Sequence, residues 1–151
     1  MGSGESNQAK LPLLYLTWLW AIVATLGSLY FSEIRMFVPC VLCWYQRILM
    51  YPLVLILGVA TYRQDGRSFA YSLPLSVLGM IVAAYHVLEQ KVEGFGSAAL
   101  CQSGVPCATS YINWLGFISI PVLSLTAFTG ITVLLLISRR QAVRARKAAA
   151  Y

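Results

Sequence analysis

The sequence predicts an all-α integral membrane protein, a bundle of four transmembrane helices with both termini cytoplasmic and cysteines in outside loops. Three observations carry that expectation. Only 11% of the 151 residues are charged and 59% are hydrophobic, whereas a soluble domain carries about a quarter charged residues. The charges avoid four stretches: Leu11–Ser32, Ser68–Leu88 and Ala108–Ser138 hold none, and Met36–Tyr62 holds Arg47 alone. Each is long enough to cross a bilayer core, which takes about 20 apolar residues as a helix. The third observation is where the basic residues fall. With four spans, Lys10, Arg63, Arg67, Arg139, Arg140, Arg144, Arg146 and Lys147 share one side, against Arg35 and Lys91 on the other. Positive charge marks the cytoplasmic side.

Taken in order, residues 1–10 are rich in small polar types and are expected to form a flexible tail. The first span, about 11–31, exceeds the roughly 7–15 residue core of a signal peptide and no small-residue cleavage pattern follows it, so it is expected to remain as an anchor. An outer loop, 32–39, leads to a second span over about 40–62. Proline is favoured at a helix's first position, so Pro39 is expected to mark its outer start. Arg63-Gln64-Asp65-Gly66-Arg67 contains an Asp-Gly turn signal and predicts a tight hairpin into the third span, about 68–88. The outer loop 89–113 precedes a fourth span, about 114–138, and a basic cytoplasmic tail, 139–151. The formal charge of +6 does not point to nucleic acid, because five of the eleven basic residues form one flank of the last span.

This topology puts all four cysteines on the non-cytoplasmic face, where disulfides form and persist. Cys40 and Cys43 open the second span; Cys101 and Cys107 lie in the second outer loop. Residues three apart on a helix have Cβ atoms about 5–6 Å apart, within modest adjustment of disulfide geometry. The positive end of a helix dipole also favours thiolate over thiol. A structural disulfide is the main rival, but closing so short a step inside a helix gains little loop entropy. The loop pair lies among Gly94, Gly96, Gly104 and Pro106, and an exposed disulfide there is open to an incoming thiolate.

Arg47 continues the Cys40–Cys43 face, about 6 Å deeper by the helical rise. A guanidinium in hydrocarbon costs at least about 2.5–3.5 kcal/mol on insertion scales, which makes an intramembrane arginine a functional candidate. Its charge favours a thiolate at Cys43 and its fork of donors suits a carbonyl oxygen. His86 lies at a comparable depth near the outer end of span three and is weighed equally as an interfacial residue or a proton donor. Trp44 and Tyr45 are weaker candidates for a ring pocket; Trp18, Trp20 and Trp114 read as packing or interfacial aromatics.

The runs Gly27-Ser28-Leu29-Tyr30-Phe31-Ser32-Glu33-Ile34-Arg35, Pro39-Cys40-Val41-Leu42-Cys43-Trp44-Tyr45-Gln46-Arg47 and Tyr111-Ile112-Asn113-Trp114-Leu115-Gly116-Phe117 resemble the DsbB family of disulfide bond formation proteins, in particular its shorter BdbC type from Gram-positive bacteria. The resemblance covers about residues 15–137. It implies reoxidation of an extracytoplasmic thioredoxin-fold thiol oxidase, DsbA- or BdbD-like, with electrons passed to the membrane quinone pool. By motif position, Cys101 would form the mixed disulfide with that partner and Cys107 would be its mate. Cys40 would receive electrons from the loop pair, and Cys43 would face the quinone as a thiolate. Arg47 and His86 would bind the quinone. The BdbC type implies menaquinone rather than ubiquinone, and no residue decides between them. The five residues between Cys101 and Cys107 match the BdbC type and depart from the long spacing of the enterobacterial branch.

Three rival readings remain at this point. A metal-binding membrane protein using the four cysteines fits the first spacing, but the second is too wide and the compartment oxidising, so no metal site is assigned. A disulfide-stapled scaffold needs no chemistry at all. A thiol-driven reductase resembling the vitamin K reductase family would differ in its substrate.

Overall fold

The computed structural model describes residues 11–65, 67–92, 107 and 119–148. Among the described residues the regular structure is entirely helical: α1 (Leu11–Leu29), a π-helical turn (Tyr30–Ile34), α2 (Val41–Arg63), α3 (Phe69–Lys91) and α4 (Ile120–Ala148). All four α-helices provide segments long and apolar enough to cross a membrane. At about 1.5 Å per residue, a 23-residue helix such as α2 or α3 reaches roughly 34 Å, slightly more than the hydrocarbon thickness.

The helices close as a ring, α2 packing on α1 and α3, and α4 on α3 and α1. Their inner faces meet in a core of Leu53, Leu57, Phe128, Ile131 and Leu135, each fully buried, with Met50, Ala21, Ala83 and Ala127 around them. Val23, Leu26, Leu55, Ile81 and Leu78 point outward, as expected where lipid tails are the solvent. Lipid is as apolar as leucine, so association of such helices relies on close packing. Gly79 shows this: a Cβ there would overlap the Phe128 ring. Ser76 and Thr132 add a hydrogen bond between α3 and α4 at 3.0 Å.

Several boundaries differ from the sequence expectation. Helix α2 begins at Val41 with Cys40 as its N-cap, in extended conformation (φ −71°, ψ 173°), so Pro39 precedes the cap rather than occupying the first helical position. The Cys40 sulfur itself accepts the Cys43 N–H, a bond a residue inside the helix would not make. Span one continues through the π turn to Ile34. Helix α4 does not stop with the apolar segment at 138 but runs through the basic stretch to Ala148. The Arg63–Arg67 hairpin forms as expected: Gln64 takes a left-handed conformation (φ 52°) and its N–H caps Ala60 and Thr61. Most of loop 89–113, including Cys101, and the start of the expected fourth span lie outside the described residues.

Candidate functional site

The link between α1 and α2 is short and sharply turned. Met36 has φ 54°, a conformation that costs an L-residue roughly 1–2 kcal/mol, and Phe37 N–H bonds back to Phe31 O at 3.0 Å. This reversal stacks Phe37 on Phe31, ring centroids 6.2 Å apart, and delivers Cys40 to the start of α2. The π turn just before it widens the helix locally, a feature frequent at functional sites.

Cys40 is buried and Cys43 half-buried; both are free. Their sulfurs are 2.9 Å apart, so small side-chain rotations bring them to the bond length of about 2.05 Å. The contacts that favour a thiolate converge on Cys40. Its sulfur accepts the Cys43 N–H at 3.4 Å and lies 3.6 Å from Nε2 of His86. Cys40 stands just ahead of the membrane-spanning part of α2. Its thiol is held well below the ordinary value, first by the hydrogen bond with Cys43 and then by that with His86, against the opposing effect of burial.

His86 projects from α3 and is almost completely buried. Its Nδ1 lies 3.1 Å from Nε2 of the buried Gln46 on α2, and its own Nε2 lies 3.3 Å from the main-chain oxygen of Cys107. With an amide nitrogen at Nδ1, that ring atom accepts, and Nε2 carries the proton toward Cys40 and Cys107. Gln90 also donates to the Cys107 oxygen, at 3.4 Å. Cys107 is disulfide-bonded and buried. It packs with Cys40 and Leu42 against Cys43, Val82 and Tyr85. A cysteine from the segment between α3 and α4 therefore packs on the pair at the start of α2.

Arg47 turns toward α1: Nε donates to Ser28 Oγ at 3.1 Å, Nη2 to Ser28 O at 3.0 Å, and the guanidinium lies 5.6 Å from the Trp44 ring centroid. Arg47 and Ser28 border a cavity of about 430 Å³ whose wall also includes Cys40, Cys43, Gln46 and His86 beside Trp20, Phe31, Phe37 and Met50. Its wall is largely apolar with some polar groups, the usual make-up of a small-molecule site.

Cys40, Cys43, Cys107, Arg47 and His86 are thus brought together; Cys101 and Trp114 lie outside the described residues. Trp20, read from sequence as a packing aromatic, is on the cavity wall, while Trp44 lies over Arg47. Gln46, Gln90 and Ser28 were not singled out by sequence reasoning. Gln46 carried a readable signal, an amide beside an arginine inside an apolar span; Ser28 carried none, because its role depends on the packing of α1 against α2.

Four membrane-crossing helices that hold a Cys-x-x-Cys against a second, disulfide-bonded cysteine define an integral membrane thiol oxidoreductase. Residues 10–138 match the family model described as Disulfide bond formation protein DsbB, and the chain belongs to that family. It is 59% identical over 119 residues to Disulfide bond formation protein C of Bacillus subtilis, covering 79% of this chain and 86% of the relative. It is 52% identical over 120 residues to Probable disulfide formation protein C 1 of Bacillus anthracis (80% and 86%). It is 46% identical over 115 residues to a Probable disulfide formation protein of Coxiella burnetii (76% and 78%). No solved structure matches the chain. Family and helices together make this a multi-pass protein of the bacterial cytoplasmic membrane, acting in disulfide bond formation.

Proposed function

We propose that the chain reoxidises an extracytoplasmic thioredoxin-fold thiol oxidase and passes the electrons to a membrane quinone, with both termini cytoplasmic and the four cysteines outside. The observation that carries this reading is the packing of disulfide-bonded Cys107 on free Cys40 at the edge of the apolar cavity. A dithiol partner reduces the loop disulfide through Cys101. The thiolate of Cys107 then attacks Cys40 in an oxidised Cys40–Cys43 pair, one S–S bond forming as another breaks, and Cys43 leaves as thiolate. Cys101 attacks Cys107, which restores the loop disulfide and leaves the helix pair reduced. Exchange of this kind needs a thiolate attacker, an accessible sulfur and a good leaving group.

The cavity fits a quinone by its volume, apolar wall and few polar groups. Arg47, steadied by Ser28, provides donors for a ring oxygen. Cys43 and Cys40 line the wall, and His86 carries a proton at Nε2. A quinone bound there supplies a two-electron, two-proton acceptor. Likeness to the Bacillus proteins favours menaquinone.

The test is extraction and identification of the co-purifying quinone, followed by addition of a reduced thioredoxin-fold oxidase to the purified protein. Quinol is expected to form with one partner disulfide per quinol. Quinone reduction by a Cys43→Ser variant at the unaltered rate would overturn the proposal.

A further inference from the structure

Three metal-ligating atoms meet beneath the outer end of the bundle. The sulfurs of Cys40 and Cys43 and a ring nitrogen of His86 all lie within 4.8 Å of one another, and among the described residues this is the one such group. Two of the three are buried and the third half-buried. They come from two helices that the core holds in fixed relation.

The separations suit a tetrahedral ion. Bonds of about 2.3 Å to sulfur and 2.0–2.1 Å to nitrogen place a sulfur and a nitrogen ligand roughly 3.5 Å apart; Cys40 Sγ and His86 Nε2 are 3.6 Å apart. Two sulfurs on one ion stand roughly 3.8 Å apart, so the present 2.9 Å opens by rotation of the half-buried Cys43. The Cys-x-x-Cys spacing is one that zinc sites use. His86 has the outer partner that a ligating histidine normally needs, since Gln46 meets its far nitrogen at 3.1 Å. By turning its amide, Gln46 accepts from Nδ1–H once Nε2 is on the metal. The cavity side leaves a fourth position for water.

We propose that Cys40, Cys43 and His86 form a redox-gated site for a divalent cation of the zinc class, filled only when the cysteine pair is reduced. Two thiolates and an imidazole select a borderline-soft ion over magnesium or calcium, which prefer oxygen ligands. Binding forms two metal–sulfur bonds and one metal–nitrogen bond and displaces any thiol proton the pair still holds; no electron moves and no oxidant is needed. The disulfide form has no thiolate to offer. An ion seated there ties up both sulfurs and halts the protein in its reduced state, so the site confers inhibition by metal. This goes beyond the electron-transfer reading and does not depend on the identity of acceptor or partner.

The test uses the full chain with Cys101→Ser and Cys107→Ser, so that only the helix pair can respond, reduced with a phosphine in detergent and titrated with cobalt(II). One equivalent is expected to bind, with sulfur-to-cobalt charge-transfer absorption and displacement by zinc. The same chain, reoxidised, is expected to show none of this. His86→Ala is expected to weaken binding at least roughly tenfold, since loss even of an outer partner of a ligand costs that much; far-ultraviolet circular dichroism checks that the helices persist. Cys43→Ser is expected to lose half of the charge-transfer intensity. Absence of saturable binding by the reduced chain would overturn the proposal, as would equal binding by the oxidised chain. So would unaltered affinity in a folded His86→Ala variant; if that variant does not fold, the oxidised chain and Cys43→Ser decide. Neither quinone nor partner enters the titration, so its failure leaves the electron-transfer proposal standing, and the reverse also holds.

Discussion

Arg47 of α2 is fastened to Ser28 of α1 by two hydrogen bonds, Nε to the hydroxyl oxygen at 3.1 Å and Nη2 to the main-chain oxygen at 3.0 Å. The guanidinium is thereby fixed in a plane, with its remaining donors available to the cavity. A hydrogen bond to a charged group contributes about 1.5–3 kcal/mol, and the main-chain half of this clamp survives loss of the hydroxyl. Ser28→Ala is therefore expected to raise the KM for quinone about tenfold, equivalent to about 1.4 kcal/mol, with kcat little altered. Arg47→Lys keeps the charge but not the fork and is expected to cost more. Steady-state quinone reduction measures both; a Ser28→Ala enzyme with unaltered KM would show that the clamp does not position Arg47 for binding.

The second prediction concerns pH. The Cys40 thiol is depressed by its hydrogen bonds with Cys43 and His86. Its thiolate is thus present at neutral pH and is lost only as pH falls through the depressed value. Alkylation of Cys40 in the reduced protein by iodoacetamide, followed by peptide mass spectrometry, is expected to stay nearly constant between about pH 8.5, the free-thiol value, and the mildly acidic range. Cys43→Ala and His86→Ala are each expected to move the midpoint upward. A wild-type midpoint at the free-thiol value would contradict the geometry.

A third prediction tests Gln46. Gln46→Leu leaves Nδ1 of buried His86 without its partner, a loss of about 1–3 kcal/mol. A lowered thermal midpoint in detergent is expected, together with slower electron transfer from the loop pair to Cys40. Stopped-flow mixing with a reduced partner separates that step from quinone binding, where Gln46→Leu is expected to matter less.

The fourth prediction concerns the bundle itself. Gly79 lets Phe128 lie against the α3 backbone, and any side chain at 79 meets the ring well inside contact distance. Overpacking of this kind costs typically about 1–3 kcal/mol. Gly79→Val is expected to destabilise the protein by at least that much in detergent unfolding, and Phe128→Leu in the same chain to recover part of the loss. Absence of any recovery would mean that the clash lies elsewhere.

Charge made much of this architecture legible, and the limits of charge explain the rest. Four stretches almost without ionisable residues announce four spans, because hydrocarbon excludes charge. The same signal ends span four at Ser138, yet α4 runs to Ala148, because Arg, Lys, Gln and Ala are strong helix formers and water tolerates them. Spacing revealed Cys40, Cys43 and Arg47 as one group, since they lie on one short segment. It did not reveal that Cys40 caps the helix, that Arg47 turns to Ser28, or that His86 meets Cys40 rather than merely sharing its depth. The last two relations join residues 19 and 46 positions apart and arise only when α1, α2 and α3 pack.

The Cys107 main-chain oxygen is gripped from two positions one turn apart on α3, His86 and Gln90. A loop sulfur latched in this way does not search for Cys40 by diffusion. Tethered groups meet at effective concentrations in the millimolar range or above, so the internal exchange outruns small thiols present at lower concentration. Kinetic insulation of the electron path would then come from two side chains that never touch an electron, and their removal would open the path to leakage before it slowed the flow.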